Sequence, residues 1–489
     1  MNAERAVIDI GSNTVRLVIF GGPPRAPTIL LNEKVTARLG KGVAENGRLS
    51  DKSMQAALAA LARYATILRL RRVEHVDAVA TAASRDAENG PEFLAAVRAL
   101  GLDVRLLSGE EEAITSATGV TAAFPGACGI VADLGGGSLE LVDIEGTNCT
   151  HGTSLPLGTL RLPQLRSEGS VRFTRRVHKM LEAADWTGSA GLPLYLVGGS
   201  HRALAHYAMH ALDWPFDDPH GFSMSADEAL NLCQVIDRGK LSTSIPMVSA
   251  SRLAMLPDAA ALLAALITDL QPERIVFSSW GLREGLLYRQ LSPAQQALDP
   301  LLAGVTTFAE QLGCPRGFAD TIAQWTSHAS IPHEEGHDRL RLAATMLSLA
   351  ANRMEPNLRA EESVEWALRK RWVGIDGEGR AMIAAAACTN AGHEAVFPQL
   401  ERIASSRQLL AGRIWGLAIR LARRFSGGTT DALTQSALTV ENGELVLSLR
   451  ESVATLYTSA AEKDLKALAQ VLGMKPVSRI LVTESAAIT

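Results

Sequence analysis

The stretch GIVADLGGGSLELVDI, from Gly129 to Ile144, decides how this chain is read. Apolar residues Ile130 to Ala132 end on Asp133, the chain passes through Gly135, Gly136 and Gly137, and a second apolar run follows, interrupted by Glu140. Short apolar runs on either side of a glycine turn predict a strand-turn-strand hairpin. Three successive glycines bring bare backbone N–H groups close to an anion, as a glycine-rich loop does when it cradles phosphate. In the returning strand the period of two sets Ser138 and Glu140 on one face and Leu139 and Leu141 on the other. Asp133 and Glu140 therefore reach toward whatever the loop holds, and carboxylates beside phosphate call for a divalent cation. A solvent-facing hairpin with an ordinary glycine turn fits the same residues.

A second copy lies near the N-terminus. Ala6 to Phe20 reads AVIDIGSNTVRLVIF, so Asp9-Ile10-Gly11-Ser12 repeats Asp133-Leu134-Gly135-Gly136. The repetition predicts a duplicated unit whose two phosphate hairpins face each other. A third glycine loop, Gly198-Gly199-Ser200-His201, follows the apolar strand Leu194 to Val197 and opens a helix, a ready anion site. The candidate phosphate contacts are thus Gly11, Ser12, Asn13, Gly136, Gly137, Ser138, Gly198, Gly199 and Ser200. The candidate metal ligands are Asp9, Asp133 and Glu140. Arg85 stands just past the strand Val76 to Ala80, where open α/β sheets place ligands, and its fork suits two phosphate oxygens; a surface ion pair is the alternative. In Ser108-Gly109-Glu110-Glu111-Glu112, Ser108 and Glu111 fit a capping box, which leaves Glu112 without a structural explanation.

Through these hairpins and the Ser108 to Ala113 segment, roughly the first 300 residues resemble the exopolyphosphatase and guanosine pentaphosphate phosphohydrolase family of the actin and sugar-kinase superfamily. The resemblance implies an α/β fold of two actin-like (ribonuclease H-like) domains, residues 1–125 and 126–298, with a cleft between them. A mostly α-helical, HD-like domain over residues 299–489 would follow. It also implies that Glu112 is the general base that takes a proton from the attacking water, with Glu111 as the fallback, and that Arg85 contacts phosphate. The segment Ser278 to Gly285 is close to the family's GLREG signature, and Arg283 and Glu284 are expected to hold that loop by an ion pair. The expected activity is release of terminal phosphate from inorganic polyphosphate with Mg²⁺ or another divalent cation; the alternative is hydrolysis of guanosine pentaphosphate (pppGpp). The family implies a homodimer. A kinase of the same superfamily and a non-hydrolysing sensor of polyphosphate or nucleotide are further readings, and the lack of a GKS/T phosphate loop weighs against the kinase.

With 489 residues the chain exceeds one core, and its 47% hydrophobic and 20% charged content is that of a folded globular protein. A net charge of −4 provides no general field for a polyanion, so nucleic acid is not an expected partner and any phosphate attraction must be local. Asp9 interrupts the first apolar run and no apolar span reaches membrane length, so no membrane association and a cytoplasmic location are expected. Five scattered cysteines without a CxxC pair read as reduced thiols.

Beyond Leu298 strand alternation fades and helical spacing runs through Ala303 to Leu312, Asp338 to Ala351, Ala360 to Lys370 and Ser406 to Arg424. His333 to His337 matches HExxH, but Pro332 and Gly336 break the helix that a zinc protease needs. Where the family's histidine-aspartate metal pair would stand, this chain has Met346-Leu347-Ser348-Leu349-Ala350-Ala351, so a catalytically silent domain is expected. Arg413, Arg420 and Arg424 share a helical stripe that would track a long polyphosphate, unless it is simply a solvated face. Ser436 to Leu449 reads as a hairpin around Asn442-Gly443, and a helix from about Ala460 to Leu472 is expected to close the chain.

Overall fold

The two duplicated hairpins are the leading strands of two sheets with one topology. Strand β1 (Arg5–Ile10) pairs antiparallel with β2 (Val15–Gly21), which pairs antiparallel with β3 (Thr28–Val35). On its other side β1 runs parallel to β4 (His75–Ala80), and β4 to β5 (Val104–Leu106), giving the order β3-β2-β1-β4-β5. The second sheet repeats the plan with β6 (Cys128–Leu134), β7 (Leu139–Glu145), β8 (Asn148–Leu155), β9 (Leu194–Val197), β10 (Ser223–Ser225) and β11 (Arg274–Phe277). Its order is β10-β11-β9-β6-β7-β8, so the walk from β8 to β11 matches that from β3 to β5. This is the α/β plan of the actin-like fold. The edge strand β10 was not anticipated, because three residues carry no readable period. The structure, a computed structural model, describes residues 4–184, 190–239, 244–329, 336–393 and 397–481. They form two units, Met1–Pro300 and Leu301–Thr489.

In the first unit, Ser50 caps the Asp51–Arg71 helix by accepting from the Ser53 N–H. Ala57, Leu61, Tyr64 and Leu68 of that helix pack on Ile8, Ile10 and Leu17 of the first sheet. Each large aliphatic side chain fully buried there contributes about 1.5–3 kcal/mol. The Gly109–Ala123 helix buries Ala113, Ala117 and Val120 against Val131, Val142 and Tyr195 of the second sheet. Its partner, the Leu282–Arg289 helix, returns to the first sheet, where Leu286 and Leu287 join Val7, Val18 and Val79. These two helices touch through glycine: a Cβ on Gly285 would fall 1.9 Å from the Thr115 carbonyl oxygen, which only the bare residue permits. The glycines of the GLREG-like segment therefore hold the helix that carries Glu112.

The second unit holds the helices Arg316–Trp325, His337–Ala351, Arg359–Arg369, Gly377–Asn390 and Ser406–Ser426. Gly377–Asn390 escaped sequence reasoning because nearly all its residues are buried, which leaves no amphipathic period to read. Strands β12 (Ser436–Glu441) and β13 (Glu444–Arg450) form the hairpin, with Asn442 at φ 48° and Gly443 at φ 78°, the left-handed pair that an Asn-Gly turn supplies. The Ser459–Leu472 helix does not close the chain. It leads to β14 (Lys475–Leu481), which adds in parallel to β13. Pro476 and the poor alternation of KPVSRIL hid that strand. Among the described residues no helix is long and apolar enough to cross a membrane, and all five cysteines are free thiols.

Candidate active site

The two hairpins close with the same hydrogen bond: Gly11 N–H donates to the Thr14 carbonyl and Gly135 N–H to the Ser138 carbonyl, each at 3.0 Å. Each turn is supported from behind by the segment after the third strand, through Gly40 N–H to the Ser12 carbonyl (2.7 Å) and Leu160 N–H to the Gly136 carbonyl (2.9 Å). The turns face one another so closely that a Cβ on Gly137 would lie 2.8 Å from Ser12 Oγ. The third loop adjoins the second hairpin. Gly198 there has φ 106°, and a Cβ on it would meet the Leu134 carbonyl oxygen at 2.3 Å, so no other residue fits. All nine candidate phosphate contacts line one cleft with Asp9, Asp133, Glu140 and Glu112.

The capping box forms as the sequence predicts, with Ser108 N–H donating to Glu111 Oε2 (2.8 Å) and Glu111 N–H to Ser108 Oγ (3.1 Å). Glu111 is thereby used in holding the helix start, while Glu112, the next residue, turns into the cleft. Arg85 Nη1 lies 3.2 Å from Glu112 Oε2 and also donates to the Leu107 carbonyl at 3.1 Å. Arg85 thus holds the carboxylate. Burial pushes Glu112 up to about 7; Arg85 opposes the rise, and Asp133 and Asp9 add to it. Burial also raises Asp9 and Asp133 from the ordinary aspartate value, and it raises Glu140 well above the ordinary glutamate value, reinforced by Glu112 and Asp133. Ser154 Oγ donates to Glu140 Oε1 at 3.0 Å and Ser116 Oγ donates to Asp133 Oδ2.

Carboxylates that repel one another in a buried cleft favour a cation. Among the described residues, however, no group of three or more His, Cys, Asp or Glu side chains is arranged to hold a metal alone. That donor set fits Mg²⁺, which takes one or two carboxylates and completes its shell with water and phosphate oxygens.

Four arginines that sequence reasoning did not assign to phosphate also line the cleft: Arg16, Arg202, Arg252 and Arg283. Burial and the neighbouring Arg283 lower Arg16 to about 10; burial and the charges of Arg283, Arg16 and Arg252 lower Arg202 to about 9. Arg252 Nη1 donates to Ser200 Oγ at 3.3 Å, which fastens it to the third loop. The expected Arg283–Glu284 ion pair is replaced by a cap, in which Glu284 Oε2 accepts from the Gly281 N–H at 3.1 Å. A signal for Arg16 was present in the duplication: Arg16 pairs across the strands with Asp9 as Glu140 pairs with Asp133.

In the second unit, Arg420 Nε lies 3.0 Å from Asp464 Oδ1 and Arg424 Nη1 3.1 Å from Asp464 Oδ2, with Asp464 only 1% exposed. Two of the three arginines in the expected phosphate-tracking stripe are therefore engaged inside their own unit. Arg413 is half-buried on the same helix. His333, Glu334 and Glu335 of the HExxH match lie outside the described residues.

Glycine hairpins, carboxylates and arginines that converge on one cleft place the chain in the class of actin-like α/β proteins with a single charge-lined cleft among the described residues. The sequence pattern of the Ppx/GppA phosphatase family matches residues 18–294, more than half of the chain, and the chain belongs to that family. It is 27% identical over 303 residues to the guanosine-5'-triphosphate,3'-diphosphate pyrophosphatase of Vibrio atlanticus (strain LGP32), the match covering 60% of each chain. The chain thus spans about 60% of the length of the curated relatives it matches. The crystal structure of the Aquifex aeolicus member of the Ppx/GppA family is 27% identical, with 59% of this chain and 99% of that one covered and a TM-score of 0.51. An exopolyphosphatase from Cytophaga hutchinsonii shares the fold at 24% identity, covering 58% of this chain and 96% of that one, with a TM-score of 0.52.

Proposed function

We propose that this protein hydrolyses a terminal phosphoanhydride bond, with guanosine pentaphosphate as the leading substrate and inorganic polyphosphate as the second. The observation that carries the reaction is Glu112, held by Arg85 at 3.2 Å and brought by burial to about 7, where a general base works best at neutral pH. The glycine loops orient the phosphates through backbone N–H groups, and Arg16, Arg252 and Arg283 offset their charge. Glu112 takes a proton from water as the water oxygen bonds to the terminal phosphorus; the bridging P–O bond breaks and its electrons stay on the departing oxygen. One or two carboxylates among Asp9, Asp133 and Glu140, with water and phosphate oxygens, would hold Mg²⁺, which supplies charge neutralisation at the transferring group when bound.

The nucleotide takes the lead because the Vibrio relatives carry that name and because Asp464 occupies two of the arginines that had favoured a long polymer. One observation favours polyphosphate. Among the described residues no aromatic ring lines the cleft for a base to stack on. We also propose that the second unit is the HD-like domain without its metal pair, since Met346 to Ala351 are buried core residues of the His337–Ala351 helix.

The test is phosphate release by the full chain from guanosine pentaphosphate and from long-chain polyphosphate, with Mg²⁺ and with EDTA. Faster release from the nucleotide, lost on chelation and restored by Mg²⁺, supports the leading substrate. Preference for the polymer moves the assignment to polyphosphate, and phosphate transfer only to an added acceptor would make the protein a kinase.

A further inference from the structure

The strand register builds two corresponding rows of side chains. On the second sheet Asp133 faces Glu140, and Glu140 faces Ser154. On the first sheet the same three places hold Asp9, Arg16 and Lys34. Directly paired residues share a face of the sheet, so each row runs outward from the cleft floor on one side. The second sheet continues outward with a carboxylate and a hydroxyl, whereas the first continues with two cations. Lys34 stands on the edge strand β3, about 10 Å from Asp9 by two strand spacings, and it is exposed.

Arg202 comes to this row from the Gly199–Ala211 helix of the other sheet. Although exposed, Lys34 is partly shielded from water, which lowers it, and the nearby charges of Arg252, Arg16 and Arg202 lower it further, so all four cations share one field. Among the described residues, neither the Lys34 nor the Arg202 side chain makes a hydrogen bond or an ion pair. Asp9, Asp133 and Glu284 offset this gathering of cations only in part, since Arg16 and Arg202 remain lowered beside them, so an anion that joins the cations is favoured.

We propose that Lys34 and Arg202 form an outer phosphate subsite, which takes the phosphates that trail the one under attack. The substrate then lies across β1, β2 and β3 with its tail toward the sheet edge. This deepens the phosphohydrolase reading and rests on it for the direction of the tail. The trailing group is a further run of phosphoanhydride units or a second diphosphate on the same nucleotide, and both present the same charge to Lys34.

Binding and turnover, measured separately on the full chain, test the subsite. Equilibrium binding of pyrophosphate, long-chain polyphosphate and guanosine pentaphosphate is compared for the natural protein, Lys34→Gln, Arg202→Gln and the surface control Lys52→Gln. Lys34→Gln is expected to weaken the polymer or the pentaphosphate roughly fivefold at low salt while changing pyrophosphate by less than about twofold, and to lower the slope of log Kd against log salt by about 0.7. Loss confined to the polymer identifies a polyphosphate tail; loss for the nucleotide identifies its second diphosphate. Equal weakening of pyrophosphate, or no weakening by Lys34→Gln with any ligand, overturns the subsite. If the selective weakening is seen but no substrate releases phosphate, the subsite stands and the proposed hydrolysis falls.

Discussion

Replacing Glu112 by Gln separates its chemical part from its cost to the fold. The carboxyl rises from 4.5 to about 7, and at about 1.4 kcal/mol per pKa unit its charged form carries a folding penalty of roughly 3 kcal/mol above neutral pH. The folded state binds the proton more tightly than the unfolded state, so this contribution is fully present below about 4.5 and is lost as pH rises through about 7. Glutamine removes the charge, and Arg85 keeps the Leu107 carbonyl at 3.1 Å and Asp86 at 3.5 Å. After allowing for the lost ion pair, Glu112→Gln should stabilise the first unit by about 1–3 kcal/mol near pH 8 and by less than about 1 kcal/mol near pH 5. Turnover should fall by about 10²–10⁴, the usual share of a general base. Thermal melts at the two pH values, run beside phosphate release, check both numbers. Undiminished turnover would move the base elsewhere, and a melting shift of equal size at both pH values would refute the burial argument.

Gly198→Ala should remove most turnover while leaving the melting temperature of the second unit unchanged, because the added methyl strikes the Leu134 carbonyl and displaces the third phosphate loop; kinetics with a two-transition melt would show it. Asp464→Ala should destabilise the second unit by about 3–5 kcal/mol, since Arg420 loses its buried counter-charge, and denaturant titration followed by tryptophan fluorescence reads that loss. The pH profile of kcat/KM for the natural protein should rise with an apparent pKa near about 7 as Glu112 deprotonates, and a flat profile across that range would exclude it as the base.

The local chemistry of the site was legible in the sequence. A glycine turn between apolar runs is a local event, so both hairpins, Asp9, Asp133 and Glu140 could be read from spacing, as could the Ser108–Glu111 cap. The duplication also held Arg16, at the strand position that corresponds to Glu140, although only the register makes that equivalence plain. Tertiary structure decided the rest. Arg202 and Arg252 reach the cleft from separate helices, and no periodicity links residues that far apart in the chain. The Gly377–Asn390 helix and strand β14 stayed hidden because one is buried on every side and the other is a poorly alternating segment recruited by β13. Sequence determined that Glu112 is a carboxylate with no part in the cap. Only the fold, by removing it from water beside Asp9 and Asp133 and setting Arg85 against it, determined that this carboxylate titrates near neutrality, because desolvation and charge proximity depend on distances through space.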